Sequence, residues 1–164
     1  MNTTAGSDAE TRAISTDHDA LRLWLRLLAT SNLIESRIRM RMQERFGMTL
    51  PRFDLMAQLA RVPAGLRMTE LSARMMVTGG NVTGIADALE REGMVARETD
   101  PEDRRASRVR LTPAGRRSFR AMAVEHEGWI VETFSGLSAR EVEQLNHLLG
   151  LLKLTLNNTN EERS

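Results

Sequence analysis

Residues 69–111 read TELSARMMVTGGNVTGIADALEREGMVARETDPEDRRASRVRL, and this stretch decides the fold. Thr69 is placed to cap a short helix over 70–75 that turns Leu71 and Met75 inward. Val77-Thr78-Gly79-Gly80-Asn81 is a tight connection into a second helix over 79–92. There Val82, Ile85, Ala86 and Leu89 recur at helical spacing, and Gly93 marks the end. Two short helices joined by a glycine-containing turn form a helix-turn-helix pattern. Residues 94–98 and 107–111 then read as two strands. In the second, Arg108 and Arg110 alternate outward while Val109 and Leu111 alternate inward. The charged segment between them, Thr99-Asp100-Pro101-Glu102-Asp103-Arg104-Arg105-Ala106, is the tip of a β-hairpin, a wing.

Working outward, residues 17–46 carry Leu21, Trp24, Leu28, Ile34, Ile38, Met42 and Phe46, a helical stripe that starts at a Thr16 or Asp17 cap and stops at Gly47. Pro51 opens another helix, buried through Leu50, Phe53, Met56, Ala57 and Ala60 and stopped by Pro63-Ala64-Gly65. Downstream, Thr112-Pro113 starts a helix to about Phe134. Ser138-Ala139-Arg140-Glu141 is a capping box before a last helix, in which Val142, Leu145, Leu149, Leu152 and Leu156 step by three and four, a heptad seam. The expected fold is mainly α with a small β-hairpin wing (α+β). A winged helix-turn-helix lobe over about 50–111 joins a helical dimerisation region, 17–47 and 113–157, in one domain spanning 17–158. Residues 1–16 and 159–164 are expected to be disordered tails, lacking hydrophobic periodicity.

Composition narrows the chemistry. The 164 residues include no Cys, which removes disulfides, thiolate metal sites and Cys nucleophiles. The N-terminus is polar and acidic, unlike a signal or transit peptide, and no apolar run spans a bilayer, so a cytoplasmic location without membrane contact is expected. His18, His126 and His147 are isolated and read as solvated, not as a metal site. P-loop, G-x-S-x-G, H-E-x-x-H and dinucleotide-glycine patterns are absent, and the acids scatter over helix faces, so neither a cofactor nor enzymatic activity is expected. The net charge of +1 conceals segregation. Residues 21–67 hold nine bases and three acids, and 98–120 hold seven and four, while both ends are acidic. Local basic surface of that kind suits nucleic acid.

A recognition helix must enter a major groove about 12 Å wide with short or polar residues leading. Thr78, Gly79, Gly80, Asn81, Thr83 and Gly84 meet that need, with Thr69 and Ser72 on the preceding helix. Arg104, Arg105 and Arg108 on a thin hairpin suit a narrow, electronegative minor groove, and Asp103 is placed to hold one of the arginines in a fixed direction. The long first helix and the Leu21, Val142, Leu145, Leu149, Leu152, Leu156 seam offer more apolar face than one lobe covers, which predicts a second copy.

Thr69–Leu111, with its Val77–Thr83 turn, its Leu89-Glu90-Arg91-Glu92-Gly93-Met94-Val95 run and its Asp100–Ala106 wing followed by Leu-Thr-Pro-Ala-Gly, closely resembles the MarR family of winged helix-turn-helix transcriptional regulators. The resemblance covers about residues 18–157. It implies an obligate homodimer on a pseudo-palindromic double-stranded operator, commonly a repressor released by a small, often aromatic, ligand. It casts Arg104 as the minor-groove arginine and Asp103 with Arg105 as the pair that stiffens the tip. The lack of Cys departs from the redox-sensing branch, and no zinc-sensing site is evident. The resemblance places an effector between the dimer helices and the lobe, where Trp24, Met42, Phe53, Met56, Phe119 and Met122 would line the site. Arg37 and Arg41, an i, i+4 pair, and Arg52 would meet an aromatic carboxylate or its coenzyme A thioester. The competing reading is a winged-helix interaction adaptor that has lost DNA binding.

Overall fold

The computed structural model describes residues 7–75, 82–103 and 105–161. The elements are α1 (Ser7–Phe46), α2 (Leu50–Ala60), β1 (Leu66–Arg67), α3 (Met68–Arg74), α4 (Val82–Arg91), β2 (Val95–Thr99), β3 (Ser107–Leu111), α5 (Pro113–Phe134) and α6 (Ala139–Glu161). None of the helices, among the described residues, is long and apolar enough to cross a membrane.

The chain divides into two compact units, residues 1–120 and 121–164. In the first, the core is built from Ile38 and Met42 of α1, Phe53, Leu55, Met56 and Leu59 of α2, Leu71 of α3, Ala86 and Leu89 of α4, and Val95, Val109 and Leu111 of the sheet. The sheet is antiparallel in the order β1-β3-β2, with Leu66 opposite Val109, Val95 opposite Leu111 and Thr99 opposite Ser107. In the second unit, Met122 is buried, whereas every residue of α6 from 139 to 158 is exposed in the single chain.

Several elements differ from expectation for identifiable reasons. The first helix begins at Ser7, ten residues before Asp17, so residues 7–16 are helical and Thr16 and Asp17 are no cap. That segment lacks an amphipathic stripe but contains Ala9, Glu10, Arg12 and Ala13, strong helix formers, with Asp8 and Glu10 in the first turn where the helix dipole favours acids. The last helix likewise runs on to Glu161. α3 starts two residues early: its N-cap is Arg67, whose backbone N–H donates to Glu70 Oε2 at 2.7 Å, leaving Thr69 inside the helix. The core face of α2 includes Leu55 and Leu59, while Leu50, Ala57 and Ala60 are only half-buried. α2 packs against α1, α3, α4 and β3 at once, so its buried arc is wider and rotated from a one-sided stripe. β1 is too short to leave a periodic signal.

Gly115 makes the join between the lobe and α5 possible. A Cβ there would lie 1.9 Å from the Met94 carbonyl oxygen. That closeness lets the Thr112 backbone N–H donate to the Met94 carbonyl at 3.0 Å and the Thr112 hydroxyl donate to the Gly93 carbonyl at 2.6 Å. The same hydroxyl accepts the Gly115 N–H at 2.9 Å, capping α5.

Candidate nucleic-acid interface

The wing is a regular hairpin over its strands and a hydrogen-bonded loop at its tip. Asp100 N–H donates to the Ala106 carbonyl at 3.0 Å, and Ala106 N–H to the Asp103 carbonyl at 2.9 Å. Asp103 Oδ1 accepts the Arg105 backbone N–H at 2.9 Å, so it shapes the loop through the main chain. Asp103 and Arg105 are exposed.

The base of the wing is fastened by Asp100, an acid whose position in the charged run gives no hint of this role. Asp100 is 1% exposed. Its Oδ2 accepts from Arg67 Nε at 2.5 Å and from Arg108 Nε at 2.8 Å, and its Oδ1 accepts the Glu102 N–H at 2.8 Å. The hydrogen bond from Arg67, more than any other partner, holds this carboxyl far below the usual carboxylate range, against the opposing effect of its burial. The Arg67 guanidinium is correspondingly raised by the same hydrogen bond. A buried charge is tolerated when paired and hydrogen-bonded, and all three donors here converge on one group. Arg108, expected to face outward, is half-buried and turned onto Asp100, and its Nη1 also reaches the Gly65 carbonyl at 3.4 Å. Arg110 is exposed and pairs with Glu98 across the strands.

The helices place the other expected residues. Thr69 and Ser72 of α3 are exposed, as is Thr83 in the first turn of α4, and Gly84 is half-buried. Ala86 and Leu89 seat α4 in the core. Thr78, Gly79, Gly80, Asn81 and Arg104 lie outside the described residues. α4 also carries three acids at or just after its C-terminal half: Asp87 and Glu90 pair with Arg97 of β2, and Glu92 with Arg52 of α2. The i, i+3 spacing of Asp87 and Glu90 was the available sequence signal for that contact; the partner on another element was not.

The expected effector residues differ in burial. Met42 and Met56 are fully buried, and the Phe53 and Phe119 rings stack with centroids 5.5 Å apart. Trp24 and Arg37 are exposed, Arg41 is half-buried, and Arg52 is engaged with Glu92. Met122 belongs to the second unit. That unit carries two open grooves along α6. One, of about 450 Å³, is lined by Val142, Leu145 and Leu149 of the seam with Phe134, Ala139, Glu143 and Asn146. The other, of about 570 Å³, lies around Gly150. His126 is half-buried rather than solvated, and burial lowers its pKa. Among the described residues, no group of three or more His, Asp or Glu is arranged to hold a metal ion.

Comparison with known proteins points the same way as the geometry. A family profile described as the MarR family matches residues 46–106. The uncharacterized HTH-type transcriptional regulator YkoM of Bacillus subtilis is 37% identical over 83 residues, 51% of this chain and 54% of that protein. The crystal structure of a MarR-family transcriptional regulator from Silicibacter pomeroyi is 32% identical, with a TM-score of 0.72 over 85% of this chain and 97% of that one. Sco3205, a MarR-family regulator from Streptomyces coelicolor whose structure is a complex with DNA, is 25% identical, with a TM-score of 0.73 over 83% of this chain and 86% of that one.

Proposed function

Because this chain belongs to the MarR family of DNA-binding transcriptional regulators, we propose that it works as a homodimeric repressor of a pseudo-palindromic operator in the cytoplasm, released by a small aromatic or anionic effector. Its relatives and fold are those of regulators, not enzymes. The observation that supports the DNA geometry is the fastened wing beside α4: a hairpin whose base is anchored at Asp100 and which carries the exposed Arg105 in its tip. In this reading, α4 and the turn before it enter the major groove, with Thr78, Asn81 and Thr83 at base edges or phosphates. Arg104 enters the adjacent minor groove.

The second copy is supported by exposed apolar surface. Leu21, Trp24, Leu25 and Leu28 of α1 and Val142, Leu145, Leu149, Leu152 and Leu156 of α6 are between 39% and 58% exposed in the single chain. Monomeric proteins rarely leave leucine-rich helix faces such as these open to water. A dimer covers it and sets two wings about one helical turn of DNA apart, ~10–11 bp. The effector acts by population shift: it binds the lobe spacing that does not fit the operator better than the one that does. An aromatic carboxylate is the first choice, met by Arg37 and Arg41 on one face of α1; a coenzyme A thioester is the second.

A gel-shift titration with the DNA upstream of its own coding sequence tests the reading. Affinity falls steeply with salt because phosphate binding releases counterions. Arg104→Ala weakens binding strongly and leaves the dimer intact; unchanged affinity removes the wing from the mechanism.

A further inference from the structure

We propose that Arg97 is a positioning residue for DNA recognition: it ties the wing to α4, so that the minor-groove and major-groove readers move as one body. The proposal rests on the DNA-binding reading above and concerns a residue that touches no base in it. In the β2–β3 ladder, Arg97 stands opposite Val109, on the same face as Val95, and both valines are buried. That is the face of the strand where an apolar side chain is expected, because strand side chains alternate and this face covers the core. A guanidinium stands there instead, 30% exposed, and reaches from the wing strand to the recognition helix.

Its geometry is that of a clamp. Arg97 Nη1 donates to Glu90 Oε2 at 3.0 Å, Nη2 donates to Asp87, and the Arg97 backbone N–H donates to Glu90 Oε1 at 3.3 Å. Asp87 and Glu90 are i, i+3 neighbours, one turn of α4. A planar guanidinium gripping two points along a helix, with its own main chain held to one of them, restrains both sliding and rotation of strand against helix. Ion pairs of this kind are weak sources of stability, and their better-attested role is to specify one arrangement over others. The clamp also neutralises two acids on a helix that approaches phosphate, where unpaired carboxylates would repel it. The far side of the wing is held separately, by Asp100 on Arg67 and Arg108. Among the described residues, Arg97 is therefore a side-chain link from the wing to α4, and Asp100 one from the wing to β1.

The test uses the full-length protein and a duplex enriched by the wild type from random-sequence DNA, with a scrambled duplex as the non-specific control. Fluorescence anisotropy is read across a salt series for the wild type, Arg97→Met, the pair Asp87→Asn/Glu90→Gln, the combination of all three, and Arg97→Lys. Arg97→Met and the acid pair each weaken the selected duplex about tenfold, the scale of one misplaced base contact. The triple variant is no worse than either, Arg97→Lys lies between, and scrambled-duplex binding and the log–log salt slope stay at wild-type values. Should Arg97→Met melt below the assay temperature, Arg97→Lys and the acid pair carry the comparison. Neutralised acids that bind as tightly as the wild type or tighter, with Arg97→Met losing about one unit of salt slope, would make Arg97 a phosphate contact and overturn the proposal. Variants that all bind the selected duplex like the wild type overturn it too, with the DNA-binding reading untouched. A wild type that enriches no sequence overturns that reading and this proposal together.

Discussion

Gly115→Ala probes the join between the lobe and the start of α5. The added Cβ would lie 1.9 Å from the Met94 carbonyl oxygen and 2.8 Å from its carbon, where real Cβ contacts do not fall below 3.0 Å. Both obstacles are backbone, so no side chain can swing aside, and the N-terminus of α5 must retreat by about 1 Å. Overpacking of this kind costs about 1–3 kcal/mol. The retreat also strains the Thr112 N–H to Met94 and Thr112 hydroxyl to Gly93 hydrogen bonds, about 1 kcal/mol each. Alanine returns at most about 1 kcal/mol through its better helix propensity. The net loss is therefore about 3 kcal/mol, which in a protein of this size lowers Tm by roughly 6–12 °C. Thermal denaturation followed by far-UV circular dichroism reads it directly, with the exposed neighbour Ala114→Gly as the control, expected to cost no more than about 1 kcal/mol. A Gly115→Ala protein that melts within about 2 °C of the wild type, or above it, refutes the close-approach argument.

Two further outcomes follow from the wing and the seam. The Asp100 carboxyl is held below the ordinary range chiefly by Arg67, so its contribution is complete above the unfolded carboxylate pKa of about 3.9 and is lost only as pH falls through the lower folded value. The side-chain carboxyl carbon of Asp100 therefore stays in its ionised position in NMR spectra from pH 8 down to about pH 3, and a midpoint at or above the ordinary value of about 3.9 contradicts the anchor. Leu145→Asp combined with Leu149→Asp puts two carboxylates into the proposed dimer face, and light scattering coupled to gel filtration should then report a monomer. A double variant with wild-type mass places the interface elsewhere.

Much of the architecture was already legible along the chain. Helices with strong apolar periodicity or clear punctuation stand where they were expected: α2 with Pro51 in its first turn, α6 after its Ser138 capping box, with Ser138 N–H on Glu141 Oε2 at 2.8 Å, and the β2–β3 hairpin within one residue. These features are local, set by backbone caps, by proline and by the alternation of side chains over a few neighbours. Helix starts governed by propensity alone, as at Ser7, gave no stripe to read.

What only the tertiary structure decided is where the charges go. Among residues 97–110 the sequence shows a run of arginines and acids that all look alike, and reading by alternation turns Arg108 outward. The fold buries Asp100 among partners 8 and 33 residues away, turns Arg108 onto it, and sends Arg97 across to α4. Whether a guanidinium meets solvent or a carboxylate depends on which elements pack beside it, and an ion pair between distant segments leaves no period in the sequence. The order of elements and the family were thus written in the chain itself. The distinction between an exposed arginine such as Arg105 and the arginines engaged in holding the wing arose only when the chain closed on itself.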